Sequence, residues 1–128
     1  MTKINNNAIN TYTRFFKILS DPTRLGIVLL LAKRELCVCQ IEAALKAHQA
    51  KISRHLAYLR KHGIVKARSQ WKWKHYSLFK PRDKFERGIL RCLQECLVND
   101  ELFKSYFTQM KECVSQPLDR VVKIARKL

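Results

Sequence analysis

An amphipathic helical segment that ends at a glycine restricts the fold of this chain more than any other feature. From Gln49 to His62, apolar residues recur at positions i, i+4 and i+7, which places them on one face of an α-helix. Gly63 follows at once, and glycine suits the left-handed conformation that often terminates a helix. The apolar face consists of Ile52, Leu56 and Leu59. We therefore predict a helix that packs on a core and stops sharply at residue 63.

The next fifteen residues change character. From Ile64 to Leu78 the chain carries strand-forming side chains such as Val65, Trp73 and Tyr76, interspersed with lysines and an arginine. We predict a basic β-hairpin over this segment, with its turn near Ser69-Gln70.

Helical patterns surround this pair of elements. Ser20-Asp21-Pro22 supplies an N-cap residue followed by proline at the first helical position, and residues 36–38 are expected to be extended. We predict further helices at 8–19, after Pro22, at about 40–46, at 82–98, at 102–113 and from Pro117 onward. Helix, tight turn, helix and basic hairpin in this order predict a mainly α, winged helix-turn-helix fold in one domain, residues 1–128.

The charge of the chain is strongly unbalanced. It has 26 Lys and Arg against 10 Asp and Glu, a formal net charge of +16. Between Glu42 and Asp83 there are eleven basic residues and no acid. A solvated face usually mixes both signs, so a run of this length favours a nucleic acid as partner, and the predicted fold makes that partner double-stranded DNA.

The predicted helix and hairpin give specific candidates for DNA contact. The second helix of such a motif enters the major groove, where side-chain donors and acceptors read base edges, while the hairpin touches backbone or minor groove. The candidate residues are Gln49, Lys51, Ser53, Arg54, His55 and Tyr58 on the helix, with Lys72 and Lys74 on the hairpin.

Five cysteines, an odd number, exclude a fully paired disulfide framework. The first residues show no apolar signal segment, and the longest apolar run, Ile27–Ala32, is far shorter than the roughly 18–20 residues that span a bilayer. We expect a cytoplasmic protein with free thiols and no membrane partner. No phosphate-binding loop or catalytic arrangement is visible, so we expect neither an enzyme nor an organic cofactor.

Cys37 and Cys39 lie two residues apart, just before the predicted 40–46 helix. Residues at i and i+2 point to the same side of a strand but about 200° apart on a helix, so both sulfurs can hold one ion only if the segment is extended or unwound. Thiolates favour soft ions, and a helix N-terminus is expected to lower the thiol pKa. Small buried hydrophobic residues are the alternative interpretation.

Four motifs together resemble the ArsR/SmtB family of metal-responsive repressors. They are Leu19–Arg24, Glu35–Cys39, Gln49–Leu56 and Trp73–Leu78, and the resemblance covers about Phe15 to Leu78. It implies a homodimeric repressor that leaves its operator DNA when a metal binds. In the arsenite-sensing branch the paired cysteines bind the inducer, which implies Cys37 and Cys39 as ligands of As(III) or Sb(III).

The chain departs from that family at two positions. Where arsenite sites of the family carry a third cysteine, this chain has Glu42, which leaves Cys92, Cys96, Cys113, an exogenous thiol or water as third ligand. We expect Cys92 and Cys96 to pack or to contact a second copy. Trp71 replaces the usual glycine of the wing, which favours a longer or irregular turn because tight hairpins prefer Gly or Asn.

The dimer is expected to use the helix at about 8–19 and the helices within 82–128, because their apolar stripes are left over from a DNA-binding core at about 20–80. Three alternatives stay open at this point. A Cd²⁺ or Pb²⁺ sensor would share the paired cysteines, a redox switch would release DNA on thiol oxidation, and a thiol-exchange protein would not bind DNA at all.

Overall fold

A computed structural model describes residues 3–126, which form seven α-helices and one antiparallel sheet. The helices are α1 Lys3–Leu19, α2 Pro22–Leu31, α3 Val38–Leu45, α4 Gln49–Lys61, α5 Lys84–Leu97, α6 Glu101–Val114 and α7 Leu118–Ala125. The strands are β1 Leu36–Cys37, β2 Val65–Gln70 and β3 Trp73–Leu78, in the order β1-β3-β2. This arrangement confirms the predicted fold class. Residues 1–2, and residues 127–128 of the predicted dimerisation region, lie outside the described residues.

The helix starts follow local capping chemistry. Asp21 is the N-cap of α2, and its carboxylate accepts a hydrogen bond of 3.0 Å from the backbone N–H of Arg24. Asp83 and Asp100 cap α5 and α6 in the same way. Helix α1 begins at Lys3, five residues before the predicted start.

Helix α3 begins earlier than predicted. It starts at Val38 instead of Gln40, so only Cys37 is extended and Cys39 lies in the first helical turn. The side-chain oxygen of Gln40 accepts a 2.8 Å hydrogen bond from the backbone N–H of Cys37, which satisfies a donor at the helix start. This hydrogen bond favours a helix start before Gln40. Because α3 then includes Cys39, the cysteine pair lacks the fully extended geometry that the i, i+2 spacing requires for binding one ion.

The end of α4 confirms the role assigned to Gly63. Its φ is +73°, in the left-handed region. A Cβ there would meet only the guanidinium of Arg82, at 3.9 Å, so the backbone conformation and not space demands glycine.

Gly63→Ala should therefore lower the free energy of unfolding by about 1–2 kcal/mol, the usual cost of a left-handed L-residue. Urea denaturation at one fixed protein concentration measures it. Gly88→Ala is the matched control, because Gly88 lies within α5 with no neighbour within 4 Å of an added Cβ. Alanine is the better helix former, so this control should be neutral or stabilising. Equal destabilisation by both variants would contradict the backbone argument.

The wing differs from its predicted form. Gln70 pairs with Trp73, so the turn is the two-residue segment Trp71-Lys72 and not Ser69-Gln70. The expectation of a longer or irregular turn is also wrong: Trp71 itself takes a positive φ of +57°, the conformation that glycine usually provides. Its indole is 81% exposed at the tip of the hairpin.

The main core lies between α2, α4 and the base of the sheet. Ile27, Val28 and Leu30 of α2 meet the buried faces of α4 and β2, including Leu56 and Val65. All five side chains are fully shielded from solvent. The apolar face predicted for α4 is thus confirmed, and the opposite face of α4 is left free.

The C-terminal helices pack within the chain. Helices α6 and α7 cover α3, and their stripes bury Met110, Cys113 and Val121. The stripes of these two helices are therefore not left over from the core, contrary to the sequence argument. Exposed apolar side chains remain on α1, namely Ile9, Tyr12 and Phe16. The assignment of the dimerisation helices stays a prediction.

Among residues 3–126, no helix has both the length and the apolar character needed to cross a membrane.

Candidate functional site

The solvent-facing side of α4 presents most of the predicted DNA contacts together. Gln49, Lys51, Ser53 and Arg54 are all exposed on the first two turns of the helix, opposite the buried face. No acidic side chain interrupts this surface, because α4 contains none. Short polar and basic groups on a free helix face have the composition that base and phosphate contacts require.

His55 and Tyr58 are placed differently from the exposed residues of α4. The imidazole Nε2 of His55 lies 3.8 Å from a carboxylate oxygen of Asp21, and burial lowers the His55 pKa. The Arg24 guanidinium lies over the Tyr58 ring, 4.2 Å from its centroid. Both side chains are half-buried towards α2. They therefore hold α4 against α2, and their contact with DNA stays a prediction.

The wing carries a second basic surface. Lys72 and Lys74 are exposed at and beside the hairpin turn. The ammonium of Lys72 lies 4.7 Å from the Trp71 ring centroid and 3.6 Å from a carboxylate oxygen of Asp119 in α7. Asp119 thus places a carboxylate from the C-terminal tail beside the tip of the wing.

Cys37 and Cys39 lie where the sheet joins α3. Cys37 is both a residue of β1 and the N-cap of α3, and Cys39 is in the first turn of that helix. They are 1% and 5% exposed and share an apolar cluster with Ala43, Cys113 and Val121. Cys37 thus lies immediately before α3, as predicted, whereas Cys39 lies within its first turn.

His75 is a neighbour of the thiol pair that the sequence argument did not identify. Cys37 and His75 are directly opposite each other in β1 and β3, and the sulfur of Cys37 lies 3.2 Å from Nδ1 of His75. The sequence predicted β3, but not that a two-residue strand at Leu36–Cys37 would pair with it. Through this pairing the thiol touches the strand that carries Lys74.

Glu42, which stands where a third thiol would be, is buried and ion-paired. It is 1% exposed, and its Oε1 accepts a hydrogen bond from the guanidinium of Arg126, just after α7. Its other oxygen, Oε2, is buried without a hydrogen-bond partner among the described residues. Burial raises the pKa of this carboxyl above its usual 4.5, while the Arg126 charge lowers it.

The two thiols and Glu42 open on a common cleft of about 210 Å³. Its other walls are α7 and the wing. The lining residues are Cys37, Val38, Cys39, Glu42, Gln49, Lys72, Trp73, Lys74, Val122 and Arg126. The cleft thus joins the predicted ligand pair to predicted DNA-contacting residues.

Burial raises the pKa of Cys37 and that of Cys39 from 9.0 to about 11. For Cys37 the neighbouring Cys39 adds to the effect, and for Cys39 the neighbouring Glu42 does. The expected lowering of the thiol pKa by a helix N-terminus does not occur here, because desolvation outweighs the helix dipole. Both cysteines are held as neutral thiols at physiological pH.

Alkylation should reveal this protection. With a pKa raised from 9.0 to about 11, the thiolate fraction at neutral pH falls about 100-fold. Iodoacetamide should modify Cys37 and Cys39 at least about 100-fold more slowly in the folded chain than in urea, with rates that rise up to about pH 11. Peptide mapping by mass spectrometry measures each site, and the exposed Cys92 serves as internal control. Similar rates in the folded and unfolded protein would contradict the burial argument.

A third ligand from the chain is not in place. Among residues 3–126, no group of three His, Cys, Asp or Glu side chains lies close enough together to hold a metal ion. Cys92 and Cys96 are exposed on α5, with their sulfurs 3.8 Å apart. They do not lie beside the thiol pair, because α3 packs chiefly against α6 and α7 rather than against α5. Cys113 of α6 shares the apolar cluster of the thiol pair. Within residues 3–126, Cys92 and Cys96 do not pack into a core, and their contact with a second copy stays a prediction.

Comparison with protein families gives a match over residues 21–67. The family is described as "Bacterial regulatory protein, arsR family". The matched segment runs from the N-cap of α2 into β2, and it contains Cys37, Cys39 and all of α4.

Three curated relatives are named for resistance to arsenic or to cadmium. The chain is 44% identical over 92 residues to an arsenic resistance transcriptional regulator of Pseudomonas putida, covering 68% of this chain and 72% of that protein. It is 59% identical over 66 residues to the arsenical resistance operon repressor of Escherichia coli, covering 51% and 56% of the two chains. A cadmium resistance regulatory protein homolog of Staphylococcus aureus is 41% identical over 66 residues, or 51% and 54%. The chain thus spans little more than half of the E. coli and S. aureus proteins.

Solved structures agree with the fold. The transcriptional repressor BigR of Xylella fastidiosa superposes with a TM-score of 0.67 at 26% identity, covering 79% of this chain and 97% of that one. A homodimeric winged helix-turn-helix DNA-binding domain from Mycobacterium bovis, a possible ArsR-family regulator, superposes with a TM-score of 0.61 at 25% identity, covering 79% and 89%.

Proposed function

Since this chain belongs to the ArsR family of bacterial regulatory proteins, we propose that it is a cytoplasmic, homodimeric repressor of an arsenic-resistance operon. It binds operator DNA and leaves it when As(III) or Sb(III) binds Cys37 and Cys39. The observation that carries the proposal is the placement of both thiols on one cleft at the front of α3. The arsenic-resistance regulator of P. putida, which is 44% identical, supports the choice of inducer.

DNA binding rests on α4 and the wing. Two copies related by a twofold axis present two α4 helices to half-sites about one helical turn apart. Lys51 and Arg54 contact phosphates or guanine edges, and Gln49 suits adenine. Lys72 and Lys74 contact the backbone beside each half-site. The absence of acids in α4 leaves this surface uniformly attractive to phosphate.

The inducer acts through the helix start. Sulfur-seeking ions replace the protons of Cys37 and Cys39, which burial otherwise retains. Because Cys37 is extended and Cys39 is helical, drawing both sulfurs to one ion changes the first turn of α3. Helix α3 packs on α4, and Cys37 contacts His75 in the wing. The change at the start of α3 is therefore transmitted to both α4 and the wing.

Titration of arsenite into the protein–operator complex tests the proposal. Fluorescence anisotropy of labelled operator should fall to the free-DNA value as arsenite saturates the protein. With arsenous acid, As(OH)₃, the two thiol protons should leave with two hydroxide ligands as two waters, with no net proton release, and ultraviolet absorption should show sulfur–arsenic bonds. A complex that survives saturating arsenite would refute the inducer assignment.

A cadmium sensor is the second candidate. The S. aureus relative, named for cadmium resistance, is 41% identical over 66 residues, and Cys37 and Cys39 would serve a soft divalent ion equally. Parallel titrations with Cd²⁺ decide between the two, because the true inducer should release DNA at the lower concentration. Release by peroxide that needs Cys37, with no response to either ion, would indicate the redox switch instead.

A further inference from the structure

The cleft at the thiol pair has an unusual combination of walls. Two protein sulfurs lie on it, yet no third side chain of the described residues completes a metal site. Its volume of about 210 Å³ exceeds that of an engineered cavity of about 150 Å³ that holds benzene, so a small organic molecule fits at least in part. The cleft therefore has free space beside the two thiols, where a third ligand would be needed.

The rim of the cleft is cationic. Lys72 and Lys74 of the wing and Arg126 after α7 line it, and all three are exposed. Glu42 is the one acid among the lining residues, and its Oε1 is taken by Arg126. Lys72 also has Asp119 at 3.6 Å, but both side chains are more than half exposed and the pair is weak. A carboxylate entering the cleft is therefore attracted.

The floor of the cleft lacks a hydrogen-bond donor, whereas its rim attracts an anion. Glu42 is 1% exposed, and its Oε2 is buried without a hydrogen-bond donor among the described residues. Such an atom is costly to leave unsatisfied. Because Glu42 lines the cleft, a rotation of its carboxylate would bring Oε2 to an amide N–H or an ammonium group of a bound molecule. The cleft thus suits a molecule with carboxylates at its ends and an N–H donor near its thiol.

We infer that the third inducer ligand is the thiolate of a small, carboxylate-bearing peptide thiol bound in this cleft, an inference that rests on the proposed function. Arsenous acid, As(OH)₃, exchanges three As–O bonds for three As–S bonds, to Cys37, to Cys39 and to the small thiol. Each thiol proton leaves with one hydroxide as water, and arsenic stays trivalent. The carboxylates pair with Lys72 and Lys74, and an N–H donates to Glu42.

A charge series of thiols tests the inference. Arsenite binding to the intact 128-residue chain, kept reduced by a phosphine, is measured by native mass spectrometry and by sulfur–arsenic absorption. The added thiol is glutathione, its diethyl ester or cysteamine. Glutathione and its ester carry the same thiol and so compete equally for free arsenite. We expect a ternary complex with glutathione, at least about tenfold more stable than with the ester or with cysteamine.

Two matched variants locate the effect. Lys72→Gln/Lys74→Gln should reduce the preference for glutathione over its ester to below about threefold. Lys61→Gln/Lys66→Gln, which removes two exposed charges outside the cleft, should retain it. Circular dichroism confirms that all variants are folded.

The possible failures are distinct. If arsenite binds to Cys37 and Cys39 but the complex ignores the added thiol, or takes the ester as well as glutathione, the inference is overturned and the proposed function stands. If arsenite does not bind without added thiol and none of the three thiols restores binding, both are overturned. A preference that survives Lys72→Gln/Lys74→Gln refutes the assigned cleft.

Discussion

A Cys37→Ser protein should bind its operator as the natural chain does but should not release it at arsenite concentrations that empty the operator in the natural protein. Serine is nearly isosteric with cysteine, so the packing around β1 is largely kept, while the hydroxyl is a poor ligand for a sulfur-seeking ion. We expect the arsenite concentration for half-release to rise at least about 100-fold, equivalent to about 2.7 kcal/mol of binding. Cys39→Ser should behave alike. Anisotropy of labelled operator measures both.

Cys92→Ser is the matched control for the loss of a thiol. Cys92 is exposed on α5, away from the cleft, so the variant should respond to arsenite with an unchanged midpoint. A midpoint shifted as strongly by Cys92→Ser as by Cys37→Ser would place the inducer site on α5. Unimpaired release from the Cys37→Ser protein would exclude this thiol as a ligand.

Arg126→Ala should lower the free energy of unfolding by about 2–3 kcal/mol, because it leaves the buried Glu42 carboxylate without its counter-ion. The estimate lies below the range for fully buried pairs, since the Arg126 side chain is 43% exposed. Glu42→Gln should cost less, because an amide can be buried without charge. Urea denaturation at fixed protein concentration gives both values. Lys123→Ala, which removes an exposed cation within α7, should be nearly neutral.

The cost of Arg126→Ala should depend on pH in a defined direction. Burial raises the pKa of Glu42 above 4.5, and removal of Arg126 takes away the two largest influences that lower it. A carboxyl whose folded pKa is raised imposes no penalty below the unfolded pKa, and the penalty grows as pH rises through the folded pKa. Destabilisation by Arg126→Ala should thus be smaller at about pH 5 than at about pH 8. A pH-independent loss would point to lost packing and not to the stranded charge.

The local signals of the sequence predicted the helix-turn-helix well. Asp21 with Pro22 and the φ of Gly63 are properties of a few neighbouring residues, and both are confirmed. The predicted position of the wing's turn is wrong by two residues, because Trp71 takes a conformation that glycine usually adopts. Propensity alone argues against that choice, and the pairing of Gln70 with Trp73 overrides it.

The thiol cleft was predicted only in part. Spacing identified Cys37 and Cys39, but Glu42 meets Arg126 across 84 positions of sequence, and no local pattern connects them. Likewise, the apolar stripes of α6 and α7 show that each helix is half-buried without showing what it covers. Because α6 and α7 cover α3, part of the shell that buries the two thiols comes from residues far from the motif, such as Cys113 and Val121.

The pairing of β1 with β3 has a thermodynamic consequence. Cys37 caps α3 and touches His75, one residue from Lys74, so the proposed inducer site and the proposed DNA-binding surface share a strand pair. If arsenite weakens operator binding by some factor, the operator must weaken arsenite binding by the same factor. Operator-bound protein then binds arsenite more weakly than free protein does, and an operator that is bound more tightly requires a higher arsenite concentration for release. Two promoters served by this one protein would respond at different arsenic levels, set by their DNA sequences alone.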